Sequence, residues 1–213
     1  MTGPHPLTRR AVGRLVAGSA LAAALPLSPG AVASPLVATP RQTAGPFYPD
    51  RFPDDVDNDL TVIAGAPGPA AGTPLRLTGR VLDTGGRAVR GSVVEIWQCD
   101  AQGRYHHSTD RPGGADAGFQ GFGRTLAGDD GGYGFRTIRP VAYGSRTPHI
   151  HVLVRPPGGD PLVTQMYVAG EPRNATDGIL NAIRDPAARA AVIVPLAQGA
   201  DALTADFDIV LGG

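Results

Sequence analysis

In TADFDIVL (204–211) Ala205, Phe207, Ile209 and Leu211 fall on one side and Thr204, Asp206 and Asp208 on the other. A period of two marks a half-buried β-strand, because successive side chains leave a pleated backbone on opposite faces. The same period runs through LRLTGRVLD (75–83), with Leu75, Leu77, Gly79 and Val81 in phase and TGGR supplying a turn behind them. In HIHVLVR (149–155) it puts His149, His151 and Leu153 on one face and Ile150, Val152 and Val154 on the face that must enter a core. SVVEIWQ (92–98) is β-branched and aromatic, GYGFRTI (132–138) follows the turn-forming DDGG, and VTQMYVA (163–169) completes the set of predicted strands. Only DGILNAIRD (177–185) has helical spacing, through Ile179, Leu180 and Ile183, with Thr176 placed to cap it and Pro186 to stop it. Many short strands, Gly- and Pro-bearing turns and a single helix predict an all-β protein. The expected architecture is an antiparallel β-sandwich with a prealbumin- or immunoglobulin-like core, long loops and one short helix.

Before the first predicted strand the pattern changes. Residues 34–74 are rich in Pro, Gly and Ala without a sustained period, and read as an extended arm with loops ahead of a sandwich domain at 75–213. Earlier still, Arg9, Arg10 and Arg14 precede the largely apolar run from Leu15 to Leu27, AVA follows at 31–33, and the first acidic residue is Asp50. A basic start, a short apolar stretch and small residues at a cleavage position predict an export signal over 1–33. The adjacent Arg9 and Arg10 make it twin-arginine-like, a route that carries folded proteins. The apolar run falls short of the roughly 20 residues a bilayer span requires, so no permanent membrane anchor is expected.

Composition narrows the function classes. The 213 residues suffice for one domain with a real core. All 19 cationic residues are arginine and balance 19 acidic ones; without the leader, which holds three of the arginines, 16 face 19. No basic run or face offers a footprint for nucleic acid. Cys99 is the only cysteine, so neither an intrachain disulfide nor a multi-cysteine zinc site can form, and it is expected to pack as a small apolar residue near Trp97. A metal here must be held by His, Tyr or carboxylates.

The segment YGSRTPHIHVLV (143–154) gathers Tyr143, Arg146, His149 and His151 within nine positions. Two imidazoles on one face of a packed strand can share a metal ion, although an HxH pair alone is a weak sign. Tyr105 stands in the turn after the SVVEIWQ strand, in WQCDAQGRYHH. A phenol ionises near pH ~10, so tyrosinate ligation calls for a hard, highly charged cation such as trivalent iron. Without such an ion, Tyr105 is a surface turn residue and Tyr143 a loop aromatic over the sheet edge.

WQCDAQGRY, TIRPVAYGSRTPHIH and LVTQMY, in that order, resemble three successive blocks of the intradiol ring-cleavage dioxygenase family, the group of catechol and protocatechuate dioxygenases. RQTAGPFYP (41–49) resembles the arm ahead of their sandwich, and the likeness runs over residues 41–170. It implies non-haem Fe(III) held by Tyr105, Tyr143, His149 and His151, with water or hydroxide completing the shell. It further implies Tyr143 as both ligand and base, Arg146 beside the substrate ring, and Gln165 as a catalytic-site hydrogen-bonding residue behind the ligands. Pro46 and Tyr48 would line the substrate pocket. The implied partners are a small aromatic diol and O2, without an organic cofactor. The implied reaction opens the ring between its two hydroxylated carbons to a muconate-type diacid. The stretch from Tyr143 to His149 is shorter than in catechol and protocatechuate enzymes and agrees better with exported bacterial members. No long helical N-terminal segment matches the catechol-type dimer, so a homodimer stays an open assembly, and the identity of the diol stays open too. TGRVLDTGGRAVRGSVVEIWQCDAQGRY with DDGGYGFRTI also resembles non-catalytic prealbumin-like binding or structural modules, which do not need Tyr143, Arg146, His149 and His151 together. A cupin-like Fe(II) or zinc enzyme fits poorly, since no histidine follows His151. His106 and His107 are expected as solvated turn residues.

Overall fold

The computed structural model describes residues 35–111 and 113–212; the predicted leader lies outside them. In chain order the strands are β1 (Pro74–Asp83), β2 (Val93–Trp97), β3 (Phe122–Leu126), β4 (Gly132–Ile138), β5 (His149–Arg155), β6 (Leu162–Val168), β7 (Ile193–Val194), β8 (Ala197–Gln198), β9 (Leu203–Asp206) and β10 (Ile209–Leu211). A 3-10 turn (Pro172–Ala175) and two short helices, α1 (Gly178–Asn181) and α2 (Pro186–Ala191), separate β6 from β7. The strands form two five-stranded sheets, one centred on β1 and the other ordered β3-β2-β5-β6-β7. Between them Leu75, Leu77 and Val81 of β1 and Phe135 of β4 meet Val94 and Ile96 of β2 and Ile150, Val152 and Val154 of β5. Each such fully buried side chain contributes about 1.5–3 kcal/mol over its exposed state.

Both sheets are mixed, which corrects the expected antiparallel arrangement. β1 pairs antiparallel with β4, but β9 and β10 run parallel to its other edge, and β7 runs parallel to β6. A parallel neighbour requires a crossover rather than a hairpin, and the helical segment between β6 and β7 supplies one. The predicted last strand is interrupted at Phe207 and Asp208. There the Asp208 carboxylate, at 2.8 Å, accepts the Arg80 N–H that a ladder carbonyl would otherwise take. Gly79 lies opposite, and a Cβ on it would stand 2.0 Å from the Phe207 carbonyl oxygen.

The single predicted helix is two. Asp177, not Thr176, caps α1 by accepting from the Ile179 and Leu180 N–H groups. Pro186 opens α2 instead of ending a helix, because proline at the first helical position lacks only an N–H that would go unbonded anyway, and Asp185 caps it.

The outer face of the second sheet is covered as well. Trp97, Cys99, Tyr105, Phe122 and Leu153 form a second apolar cluster, against which Ala44, Phe47 and Tyr48 of the arm pack. The arm is tied down along its length. Thr39 N–H donates to Val210 O at 2.9 Å and Gln42 N–H to Val163 O at 2.8 Å. The Tyr48 hydroxyl donates to Glu95 Oε2 at 2.9 Å. Glu95 is buried and pairs with Arg124 at 2.8 Å and Arg155 at 2.7 Å. As a result β5 is buried on both faces from His149 to Val154.

Candidate metal centre

Strand register brings the chemistry together. Trp97 of β2, His151 of β5 and Gln165 of β6 stand opposite one another, and His149 faces Tyr167 in the next row but one. Residues opposite each other across a sheet share a face, so the two imidazoles and Gln165 project under the arm. The Trp97 indole stacks on His151 with centroids 4.8 Å apart and planes 7° off parallel, fixing that ring. His149 Nδ1–H donates to Thr147 O at 2.6 Å, which turns its Nε2 toward the centre, 3.2 Å from His151 Nε2.

The two tyrosines arrive from loops. The Tyr143 hydroxyl lies 3.5 Å from His149 Nε2, and the Tyr105 ring meets Tyr143 edge-on at 5.3 Å and His151 at 6.3 Å. Tyr105 is placed by its N–H, which donates to Asp110 Oδ2. Its ring is 5% exposed and its hydroxyl has no hydrogen-bond partner among the described residues. Tyr143 is half-buried. The predicted donors thus converge: two imidazole nitrogens and two phenol oxygens around one point.

Their ionisation matches a cation site. Burial, with the Arg146 charge adding to it, lowers His149 to about 4. Burial followed by the neighbouring imidazole drives His151 well below its usual value. Both are therefore neutral and ready to ligate near pH 7. Burial raises both Tyr105 and Tyr143, Tyr105 the more strongly, so their deprotonation requires a strongly charged neighbour. A buried phenol without a partner beside two neutral imidazoles is what a hard metal ion would complete. Among the described residues no group of three or more His, Cys, Asp or Glu offers another metal site. Cys99 is buried and its thiol is pushed up to about 12 by burial, so it packs as expected and does not ligate.

Arg146 is held at the edge of this centre. It donates to Asp177 at 2.8 Å, to Gln165 Oε1 at 2.6 Å and to the Tyr167 hydroxyl at 3.4 Å. Gln165 also donates to Thr43 O at 3.0 Å, tying the arm to the same network. Asp177 is fully buried; burial opposes its ionisation, but bonds from Leu180 N–H, Thr147 N–H and Arg146 outweigh this and lower it. Asp177, Thr147, Trp97 and Phe47 shape the site without having been singled out as site residues from the sequence. A carboxylate that caps a helix and also anchors an arginine shows no motif.

Of the arm, Phe47 stacks on Tyr105 at 4.6 Å. Tyr48 turns to Glu95 and meets Trp97 edge-on at 5.0 Å, and Pro46 precedes both. A cleft of about 510 Å³ opens beside Tyr143, with Phe47, Gly103, Asp110, Arg111 and Gly144 in its walls. A second, of about 550 Å³, has Tyr105, Phe47, Trp97 and Phe122 in its walls and both His106 and His107 on its rim. His106 is exposed and His107 half-exposed, so these turn histidines border a cleft while remaining solvated.

The family description Dioxygenase matches residues 43–213. The chain is 38% identical over 192 residues to the protocatechuate 3,4-dioxygenase beta chain of Burkholderia cepacia, covering 84% of this chain and 81% of that one. It is 33% identical to catechol 1,2-dioxygenase 1 of Acinetobacter lwoffii over 63% of this chain, spanning 47% of that relative's length. Among solved structures, the dioxygenase domain of a dioxygenase and carbohydrate-binding protein fusion from Streptomyces sp. SirexAA-E superposes with a TM-score of 0.63 at 31% identity, covering 83% of this chain and 99% of that one. With its mixed two-sheet sandwich and converging Tyr and His donors, the chain belongs to the intradiol ring-cleavage dioxygenase family.

Proposed function

We propose that the chain is a non-haem Fe(III) dioxygenase that opens a catechol-type ring between its two hydroxylated carbons with O2, giving a muconate-type diacid. The observation that carries this reading is the convergence of Tyr105, Tyr143, His149 and His151 with both imidazoles neutral. When bound, the ferric ion supplies the Lewis acidity that makes the diol and the phenols acidic and prepares the ring for O2. Tyr105, buried and stacked under Phe47, is the fixed phenol ligand. Tyr143, half-exposed at its cleft, would be held by the ion as phenolate and is the one that can leave its place and, as phenolate, accept a proton from a substrate hydroxyl. Arg146, immobilised by Asp177 and Gln165, holds a positive charge next to the ring, where negative charge develops as O2 adds. The basic and apolar leader ahead of the arm supports an enzyme exported to the periplasm or beyond.

The first test is a visible absorption spectrum of the purified protein before and after anaerobic catechol. A broad tyrosinate-to-iron band that shifts on adding the diol is expected. Tyr105→Phe should lower iron content and weaken that band. A protein that stays colourless after reconstitution with Fe(III) would remove the reading, and a Tyr105→Phe variant with full iron and colour would remove Tyr105 from the ligand set.

A further inference from the structure

Aromatic rings wall the cleft of about 550 Å³ beside Tyr105: Phe52, Phe119 and Phe122 join Phe47 and Trp97. Among these rings stand two buried polar side chains that the fold leaves unmet. Trp97 is 0% exposed, and its Nε1–H has no hydrogen-bond partner among the described residues. Gln120 is 4% exposed, and its Oε1 is without one as well. Turning the Gln120 amide round would not help, because its Nε2–H already donates to Phe122 O at 2.8 Å. An unmet donor or acceptor in a protein interior is costly, so each of these two groups calls for a partner.

Both groups are held in place. The Trp97 ring is fixed by its stack on His151. Gln120 N–H donates to Leu60 O at 2.9 Å, and the next carbonyl, Gly121 O, accepts from Gln98 N–H at 3.1 Å. Gly121 has a φ of +71°, and a Cβ on it would stand 3.0 Å from His106 Cδ2. His106 Nε2–H donates in turn to Asp116 O at 3.0 Å. The Ser108 hydroxyl donates to Asp50 and so ties the loop after Tyr105 to the arm. Phe52 meets Phe122 at 5.1 Å, with the Arg124 guanidinium over both rings.

The two unmet groups define the ligand. An indole N–H only donates and an amide oxygen only accepts. A hydroxyl can accept from the first and donate to the second. A carboxylate or phenolate has no proton for Gln120, and an ammonium has no lone pair for Trp97. The surrounding rings select a flat, apolar body. We propose that this cleft is a second binding site, taking a neutral phenol whose ring lies among Phe52, Phe119 and Phe122 and whose hydroxyl bonds Trp97 and Gln120. Phe47, stacked on Tyr105, stands in the walls of both this cleft and the one beside Tyr143. A phenol bound here therefore adjoins the Tyr and His cluster without entering it, and needs no metal.

Trp97 is the only tryptophan, so its fluorescence reports on the cleft in metal-free protein, whatever the iron tests show. The probe is 4-methylphenol, whose single hydroxyl cannot chelate. Its methyl ether, 4-methylanisole, accepts a hydrogen bond but cannot donate one. The phenol should shift Trp97 emission saturably, with calorimetry giving one site per chain, and the ether should bind about tenfold more weakly. Gln120→Leu should weaken the phenol by about the same factor and bring phenol and ether to equal affinity. Phe52 is 45% exposed, so Phe52→Ala keeps the fold and should weaken the phenol about fivefold. No saturable response in the folded protein, equal binding of phenol and ether to wild type, or unaltered affinity in both variants overturns this inference. None of those results touches the ferric reading, which a protein colourless after Fe(III) reconstitution removes on its own.

Discussion

His149 sits on a central strand with a backbone carbonyl at one ring nitrogen and a second imidazole at the other. That position prevents it from taking a proton in the folded state, and the consequence can be read as stability. Its pKa falls from 6.5 to about 4 through burial. Above pH 6.5 the ring is neutral both folded and unfolded, so it contributes no pH dependence. Between 6.5 and about 4 the unfolded chain binds a proton that the native site refuses, and stability falls as pH drops. Metal-free protein should lose about 2–3 kcal/mol across that window from this group, measured as unfolding midpoints from pH 7 to pH 4. His149→Gln should flatten the slope; a wild-type slope that the variant reproduces would place the acid sensitivity elsewhere. The neutrality that makes the site sensitive to acid is also what leaves Nε2 open for a metal.

Among the elements, β1 carries the most partners, with β4 on one edge and β9 and β10 on the other. Gly79 lies where the two parallel neighbours meet, and its missing side chain admits the Phe207 carbonyl. Gly79→Ala should cost about 2–3 kcal/mol through backbone displacement, a fall in Tm of roughly 5–10 °C for a domain of this size. A Tm within a degree of wild type would mean that the strand pair moves apart freely. The sequence announces β1, β2, β4, β5 and β6 almost to the residue: β1 and β4 alternate along one buried face, and β2, β5 and β6 are rich in β-branched and apolar residues that the sandwich and the arm bury on both faces. It does not announce β3, whose FGRTL holds a glycine and leaves Leu126 exposed. Nor does it show the break at Phe207 and Asp208, where alternation continues but a side chain replaces a ladder bond. The cluster of Tyr105, Tyr143, His149 and His151 was legible because three of these residues and Arg146 crowd into YGSRTPHIH and the fourth into one nearby turn. Asp177 and Phe47 were not: Asp177 heads the predicted helix, where its position suggests no more than a cap, and Phe47 lies in an arm without periodicity, so both reach the site only through the fold.

Across the molecule, the arm and the second sheet are joined through Glu95. This buried carboxylate gathers Arg124, Arg155 and the Tyr48 hydroxyl, linking β2, β3 and β5 to the segment that covers the Tyr and His cluster. Glu95→Gln removes the charge and should cost about 1–3 kcal/mol. Its clearest mark should be on the arm: Arg41 and Arg51 are exposed there. Trypsin should cut at one of them about tenfold faster in the variant, scaling with the lost stability, as followed by mass spectrometry. Equal cleavage rates would show that the arm is held by its bonds to β6 and β10 without help from Glu95. The parallel edge of β1 also fixes when the protein can exist at all. Thr78 and its neighbour Asp206 are 128 residues apart in the chain, so the first sheet closes only over a very long loop, a topology that folds slowly. On the ribosome β1 emerges with one edge bare and keeps it bare until β9 and β10 are made. The first sheet therefore closes only once those strands have emerged, and any export route that accepts only folded cargo must wait for that closure.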